Sequence, residues 1–315
     1  MIKHNSEFVL LESFQPFPQR TSSLFSALQT LFSFLNVNAD FDYLLGISGR
    51  AFDLHIHPKG VFCEGPDECD ITHFKRAIEL NGYSSIDNIT IFKEHPLNDS
   101  NTFNESIKTS IRNGLPALIL EAFFPSWGLI IGYNKDGSFT VLGPNEKVEK
   151  KEFNEGPIII ISKSINQPNR DLIIRENFKY LIKQAYQETA KMFWSTPENP
   201  YMYCGLKAFD FWINHLEKNK NIEANEWCYV SLVDSRYSTI KYLETAELAL
   251  DNEQQDKIKR LTQAFKQIHS LLSENLSTFK RKPNKQSVRN QQIDILKETR
   301  LSENKAYSIM KELIR

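Results

Sequence analysis

Residues 127–143, WGLIIGYNKDGSFTVLG, place two runs of aliphatic, aromatic and β-branched residues on either side of Asn134–Gly137. Such runs favour strands, and the polar tetrad between them, with Asp136 and Gly137 suited to positive φ, favours a tight connection. The stretch predicts a β-hairpin. Working outward, LPALILEAF at 115–123 predicts a strand just before it, and GPIIIISKS at 156–164 a further one whose unbroken apolar run suits burial on both faces.

The residues before these strands have a helical period instead. In RTSSLFSALQTLFSFL, residues 20–35, Leu24, Leu28, Leu31 and Leu35 make one stripe that Phe25, Phe32 and Phe34 widen almost all the way round. A helix apolar on most of its circumference is a buried one. DITHFKRAIELNGYSS (70–85) and NESIKTSIRNG (104–114) predict two more helices, closed by Gly82 and Gly114, with Asp70 or Thr72 as the cap of the first. Helices first and antiparallel strands last make an α+β domain.

Beyond Pro168 almost everything repeats with helical spacing, so the polar stretch SKSINQPNRD (162–171) divides the chain into residues 1–165 and an all-α domain of residues 166–315. IIRENFKYLIKQAYQETAKMFW (173–194) aligns Ile174, Phe178, Leu181 and Ala185. YMYCGLKAFDFWINHL (201–216) aligns Leu206, Phe209, Ile213 and Leu216, and three longer helical stretches follow at 224–250, 254–276 and 286–314. An antiparallel bundle joined by polar loops such as EKNKNIE and KRKPNKQ is expected.

Composition narrows the function. With 38 Lys and Arg against 39 Asp and Glu, the net charge is −1, and no field favours nucleic acid. No apolar run approaches the ~20 residues of a membrane span, and no secretory leader precedes the first domain, which points to the cytoplasm. Four cysteines in 315 residues are reduced thiols in that setting rather than a disulfide framework. Gly46, Gly49, Gly128 and Gly132 form no phosphate-loop or dinucleotide fingerprint.

The order of elements, together with LLGISGRAFD (44–53), SWGLIIGY (126–133) and LGPN (142–145), resembles the butirosin-biosynthesis protein H N-terminal domain family and related papain-like proteins. The likeness covers the first half of the chain, and many relatives also carry a helical second half. These relatives look like bacteriocin-leader-processing cysteine peptidases in fold. The resemblance implies a nucleophile at the N-terminus of the central helix, an imidazole at the head of a facing strand and an orienting Asp or Asn on the next strand. Here the first position falls on Ser22, with Ser23 next; the second on Ser126 or Trp127; the third on Gly143, with Asn145 close by. A serine without a base is a weak nucleophile, so the resemblance implies a pseudoenzyme that binds a small molecule, a peptide or a carrier-bound acyl group in the former cleft, with Ser22, Arg50, Ser126, Trp127 and Asn145 as ligand-binding residues. Two rivals stand beside it: acyl transfer by Ser22 with a base from His55, His57 or His73, and a protein-interaction module whose helical half docks a partner.

One other cluster has ligand chemistry. DLHIHPKGVFCEGPDECDITHF (53–74) holds His55, His57, Cys63, Cys69 and His73, the imidazoles and thiols that zinc prefers, although no Cys-x-x-Cys is present. The cofactor expectation is none, with zinc on these five residues as the alternative. Arg50 and Asp53, flanking Ala51-Phe52, suit either an anion contact or an exposed ion pair. The dense aromatics Tyr201, Tyr203, Phe209, Phe211 and Trp212 are expected in the core, and Cys204 and Cys228 as inert packing residues.

Overall fold

The computed structural model describes residues 2–4, 8–63, 65, 71–88, 100–123, 126–144, 148–152, 158–163, 169–196, 199–281 and 285–314. The chain is α+β. It forms two compact units, one of Met1–Phe41 with Ile78–Gln167 and one of Asp42–Ala77 with Pro168–Arg315. The expected division at residue 165 therefore differs from these units, since residues 42–77 group with the C-terminal helices. Residues 164–168, where the linker is expected, lie outside the described residues.

The first unit is built on an eight-stranded antiparallel sheet. Its strands are β1 (Ile2–His4), β2 (Phe8–Leu11), β4 (Tyr83–Asn88), β5 (Ala117–Phe123), β6 (Ser126–Asn134), β7 (Phe139–Leu142), β8 (Val148–Lys151) and β9 (Ile158–Lys163). The main path runs β1-β2-β6-β5-β9-β4, with β7 and β8 branching from β6. Strand β6 is the spine: one edge pairs first with β5 and then with β2, while the other pairs with β7. Gly132 allows that change of partner, because a Cβ there would stand 2.5 Å from the Val9 carbonyl oxygen. The β6–β7 turn is closed by Gly137 at φ 90°, whereas Asp136 keeps a negative φ and instead accepts bonds from the Ser138 amide and hydroxyl at 2.9 and 2.6 Å.

Helix α1 (Ser23–Phe34) packs on β6 and buries Leu24, Phe25, Leu28, Leu31 and Phe32. Two polar residues buried with them, Ser26 and Thr30, return their hydroxyls to carbonyls four residues back at 2.9 and 3.1 Å, so the apolar layer carries no unpaired hydroxyl at either position. Helix α4 (Ser100–Arg112) covers the sheet through Phe103, Ile107 and Ile111.

The second unit contains α2 (Phe41–Ser48, from Asp42), α3 (Ile71–Glu79, to Ala77), α5 (Arg170–Ala185), α6 (Gly205–Lys218), α7 (Asn225–Glu247), α8 (Asn252–Arg281) and α9 (Gln286–Leu313). It also holds a three-stranded antiparallel sheet in the order β10 (Thr189–Thr196), β11 (Asn199–Cys204), β3 (His55–Ile56). The helix expected over 173–194 thus ends at Ala185, and residues 199–204 precede α6 as a strand. Ile174, Phe178, Leu181 and Ala185 are buried as their spacing requires. Residues 42–77 are locked to α7 at Gly46, where any Cβ would lie 2.0 Å from the Tyr242 ring. Asn177 secures the same spot by donating to the Gly46 carbonyl and to the Tyr242 hydroxyl at 3.0 and 2.9 Å. Among the described residues no helix is long and apolar enough to cross a membrane.

Candidate functional sites

In the first unit Ser22 is the N-cap of α1. It is extended (φ −96°, ψ 103°), and its Oγ accepts from the Phe25 amide at 3.5 Å, a long capping bond. Ser23 opens the helix, and its Oγ accepts from the backbone N–H of Trp127 at 3.2 Å. The start of the buried helix and the head of β6 are thereby joined by one hydrogen bond. Trp127 is buried, and Ser126 beside it is partly exposed. Among the described residues, no imidazole is hydrogen-bonded to Ser22 or Ser23. A helix N-terminus stabilises a developing negative charge but cannot itself take a hydroxyl proton. Asn145 lies outside the described residues, and Arg50 belongs to the second unit.

The second unit holds a buried cluster of one carboxylate and two imidazoles. Of the five residues considered for zinc, the structure brings together two, His55 and His73, and adds Asp53. Cys63 is exposed, Cys69 lies outside the described residues, and His57 is engaged locally, its Nδ1 accepting from the Lys59 amide at 3.1 Å. The alternative of an exposed ion pair at Arg50 and Asp53 does not fit their burial. Arg50 is buried, and Asp53 instead faces the two histidines.

Asp53 Oδ2 lies 2.8 Å from His55 Nε2 and 3.3 Å from His73 Nε2. Its Oδ1 accepts from the amides of Leu54 and Gly205 at 2.8 and 2.9 Å. Asp53 stands in the turn just before β3, His55 opens that strand, and α3 delivers His73 to the same point. Burial alone would raise the Asp53 pKa; it is outweighed by the charge and hydrogen bond of His55 and then those of His73, which hold the carboxyl well below its ordinary range. His73 Nδ1 stands 2.6 Å from the Ser48 carbonyl, with the Tyr180 hydroxyl at 3.4 Å.

The turn that carries Asp53 is clamped by groups the sequence did not announce. Arg236 on α7 is buried and forms a two-pronged pair with Glu303 on α9, Nε to Oε1 at 2.5 Å and Nη2 to Oε2 at 2.9 Å. Its Nη1 donates to the Ala51 and Asp53 carbonyls at 2.9 and 3.0 Å, and the Tyr307 hydroxyl donates to the Phe52 carbonyl at 2.8 Å. Three successive carbonyls are thus held by α7 and α9. Burial would lower the Arg236 pKa, but the Glu303 charge outweighs it and raises the value, so the guanidinium stays charged. A sequence signal existed in part: Glu303 and Tyr307, spaced i and i+4, share one helix face.

No protein-family model matches the chain, and no curated protein matches it.

Proposed function

We propose that the first unit is a papain-like domain whose nucleophile, base and orienting positions have been refilled, and that the chain is a binding protein for a small molecule, a peptide or a carrier-bound acyl group. In this reading it serves a biosynthetic pathway as an accessory, in the cytoplasm, where Cys63, Cys204 and Cys228 remain free thiols. One observation carries the reading: the Trp127 N–H to Ser23 Oγ bond at 3.2 Å. It joins the tip of a buried helix to the head of a central strand, the meeting point a thiol and an imidazole occupy in the papain-like design. A hydroxyl and an indole-bearing residue stand there instead, an arrangement that supports recognition over proton transfer.

The test uses octanoyl-N-acetylcysteamine, a minimal mimic of a carrier-bound acyl thioester, and a set of short peptides. The expected result is saturable quenching of tryptophan fluorescence that disappears in Trp127→Phe, with no thiol released. Thiol release abolished by Ser22→Ala or Ser23→Ala would establish acyl transfer instead. Failure of both probe classes to bind would remove the reading.

A further inference from the structure

We infer that Asp53, His55 and His73 bind one divalent first-row transition-metal ion, of which zinc is the reference case, through Asp53 Oδ2, His55 Nε2 and His73 Nε2. The site is independent of the reading of Ser23 and Trp127, since all three ligands lie in the second unit.

Proton placement gives the first reason. A carbonyl oxygen has no proton to give, so at 2.6 Å from Ser48 O it is His73 Nδ1 that donates. With Nδ1 turned to that carbonyl, His73 directs its Nε2 toward Asp53 Oδ2 at 3.3 Å. An ion held between these two atoms would be bonded by both. The Nδ1–H to carbonyl contact is also the outer bond that orients metal-bound imidazoles and raises their basicity.

Distances give the second. Ligands ~2.0–2.1 Å from a tetrahedral ion lie ~3.3–3.4 Å from one another. Oδ2 and His73 Nε2 already have that separation, and the three donor atoms all fall within 4.8 Å of one another. The 2.8 Å contact to His55 Nε2 would open by roughly half an ångström, with His55 binding as its Nδ1–H tautomer. Asp53 is set for one-oxygen ligation, because Oδ1 is held by two backbone amides.

Charge gives the third. The Asp53 carboxylate is wholly shielded and faces His55 and His73 at 2.8 and 3.3 Å, so a divalent ion bonded by all three would serve as its countercharge. Two imidazoles and a carboxylate form a three-ligand donor set of the kind zinc or iron(II) takes.

Because the ligands are buried, loading is best tested on refolding. The full chain is unfolded in denaturant with chelator, then refolded with equimolar cobalt(II) or zinc(II), and bound metal and circular dichroism are measured together. The expected outcome is about one ion per chain, a cobalt spectrum of nitrogen and oxygen ligation, and a higher unfolding temperature than the metal-free chain. His73→Asn keeps a donor for Ser48 O but deletes Nε2, and Asp53→Asn keeps the amide contacts but deletes the charge; each should abolish uptake. Refolded wild-type chain that binds no metal and shows an imidazolium at His55 or His73 by nuclear magnetic resonance would overturn the site. So would a thiolate-to-cobalt band, which would move the metal to cysteine, or uptake unchanged by either substitution.

Discussion

Removing one member of the Arg236–Glu303 pair should cost more than removing both. The pair is almost wholly shielded, with each side chain 1% exposed, so Glu303→Gln leaves a guanidinium that has lost its countercharge where water cannot replace it. Breaking a buried pair this way costs about 3–5 kcal/mol. Arg236→Met belongs at the upper end of that range, because it also strips a donor from the Asp53 carbonyl and one from Ala51, although the Thr239 hydroxyl still serves Ala51 O at 2.7 Å. The double replacement Arg236→Met with Glu303→Leu removes both charges and deprives only the Asp53 carbonyl of its Arg236 donor, a loss of about 1–3 kcal/mol. Urea unfolding followed by far-ultraviolet circular dichroism orders the three variants, and each single change should lower the thermal transition of the helical unit by ~10 °C. The reasoning fails if either single variant loses less than ~1 kcal/mol, or if the double loses the sum of the two.

Gly46→Ala should destabilise the second unit by about 3 kcal/mol or more, since its Cβ would overlap a Tyr242 ring held by Asn177, and adding Tyr242→Leu should recover most of the loss in the same assay. Gly132→Ala should likewise weaken the first unit at the β2–β6 junction, read as faster amide exchange in β2, because the clash is with backbone that cannot rotate away. Burial raises the pKa of Tyr229, of Tyr242 and of Tyr307, the last helped by the Glu303 charge. The folded values exceed the unfolded one of ~10, so this stability is complete below pH ~10 and lost as pH rises past it. Absorbance at about 295 nm should therefore show these phenolates appearing in one cooperative step together with the loss of helical dichroism. Ser22→Ala should cost only about 0.5–1 kcal/mol, because its capping bond is 3.5 Å long.

Features fixed by neighbours in sequence were legible in advance. The β6–β7 hairpin follows from Gly137 between two strand-forming runs, and the burial of α1 from apolar residues on nearly every side. Where two periods coincide, the sequence misleads. Residues 189–194 continue the helical spacing of α5, yet they are rich in residues that suit strands, and pairing with β11 decides the matter. The histidines of 53–74 stood out by type, but nothing local reveals that Asp53 meets His73 twenty positions away or the Gly205 amide 152 positions away. Arg236 and Glu303, 67 positions apart, look like ordinary surface charges until α7 and α9 are packed. Long-range pairing of this kind has no signature in spacing.

The interleaving of the two units has a consequence for biogenesis. The chain passes from one unit to the other at 41/42, 77/78 and 167/168, so a ribosome completes every residue of the sheet unit while the segment from Asp42 to Ala77 still lacks its C-terminal helices. During that interval the segment's apolar side chains, Leu44, Ile47 and Phe52 among them, which are buried in the finished fold, lack the helices of their own unit, and chaperone capture is to be expected there. Cutting the gene at codon 165 would make the interval permanent, giving two fragments that each lack part of a fold.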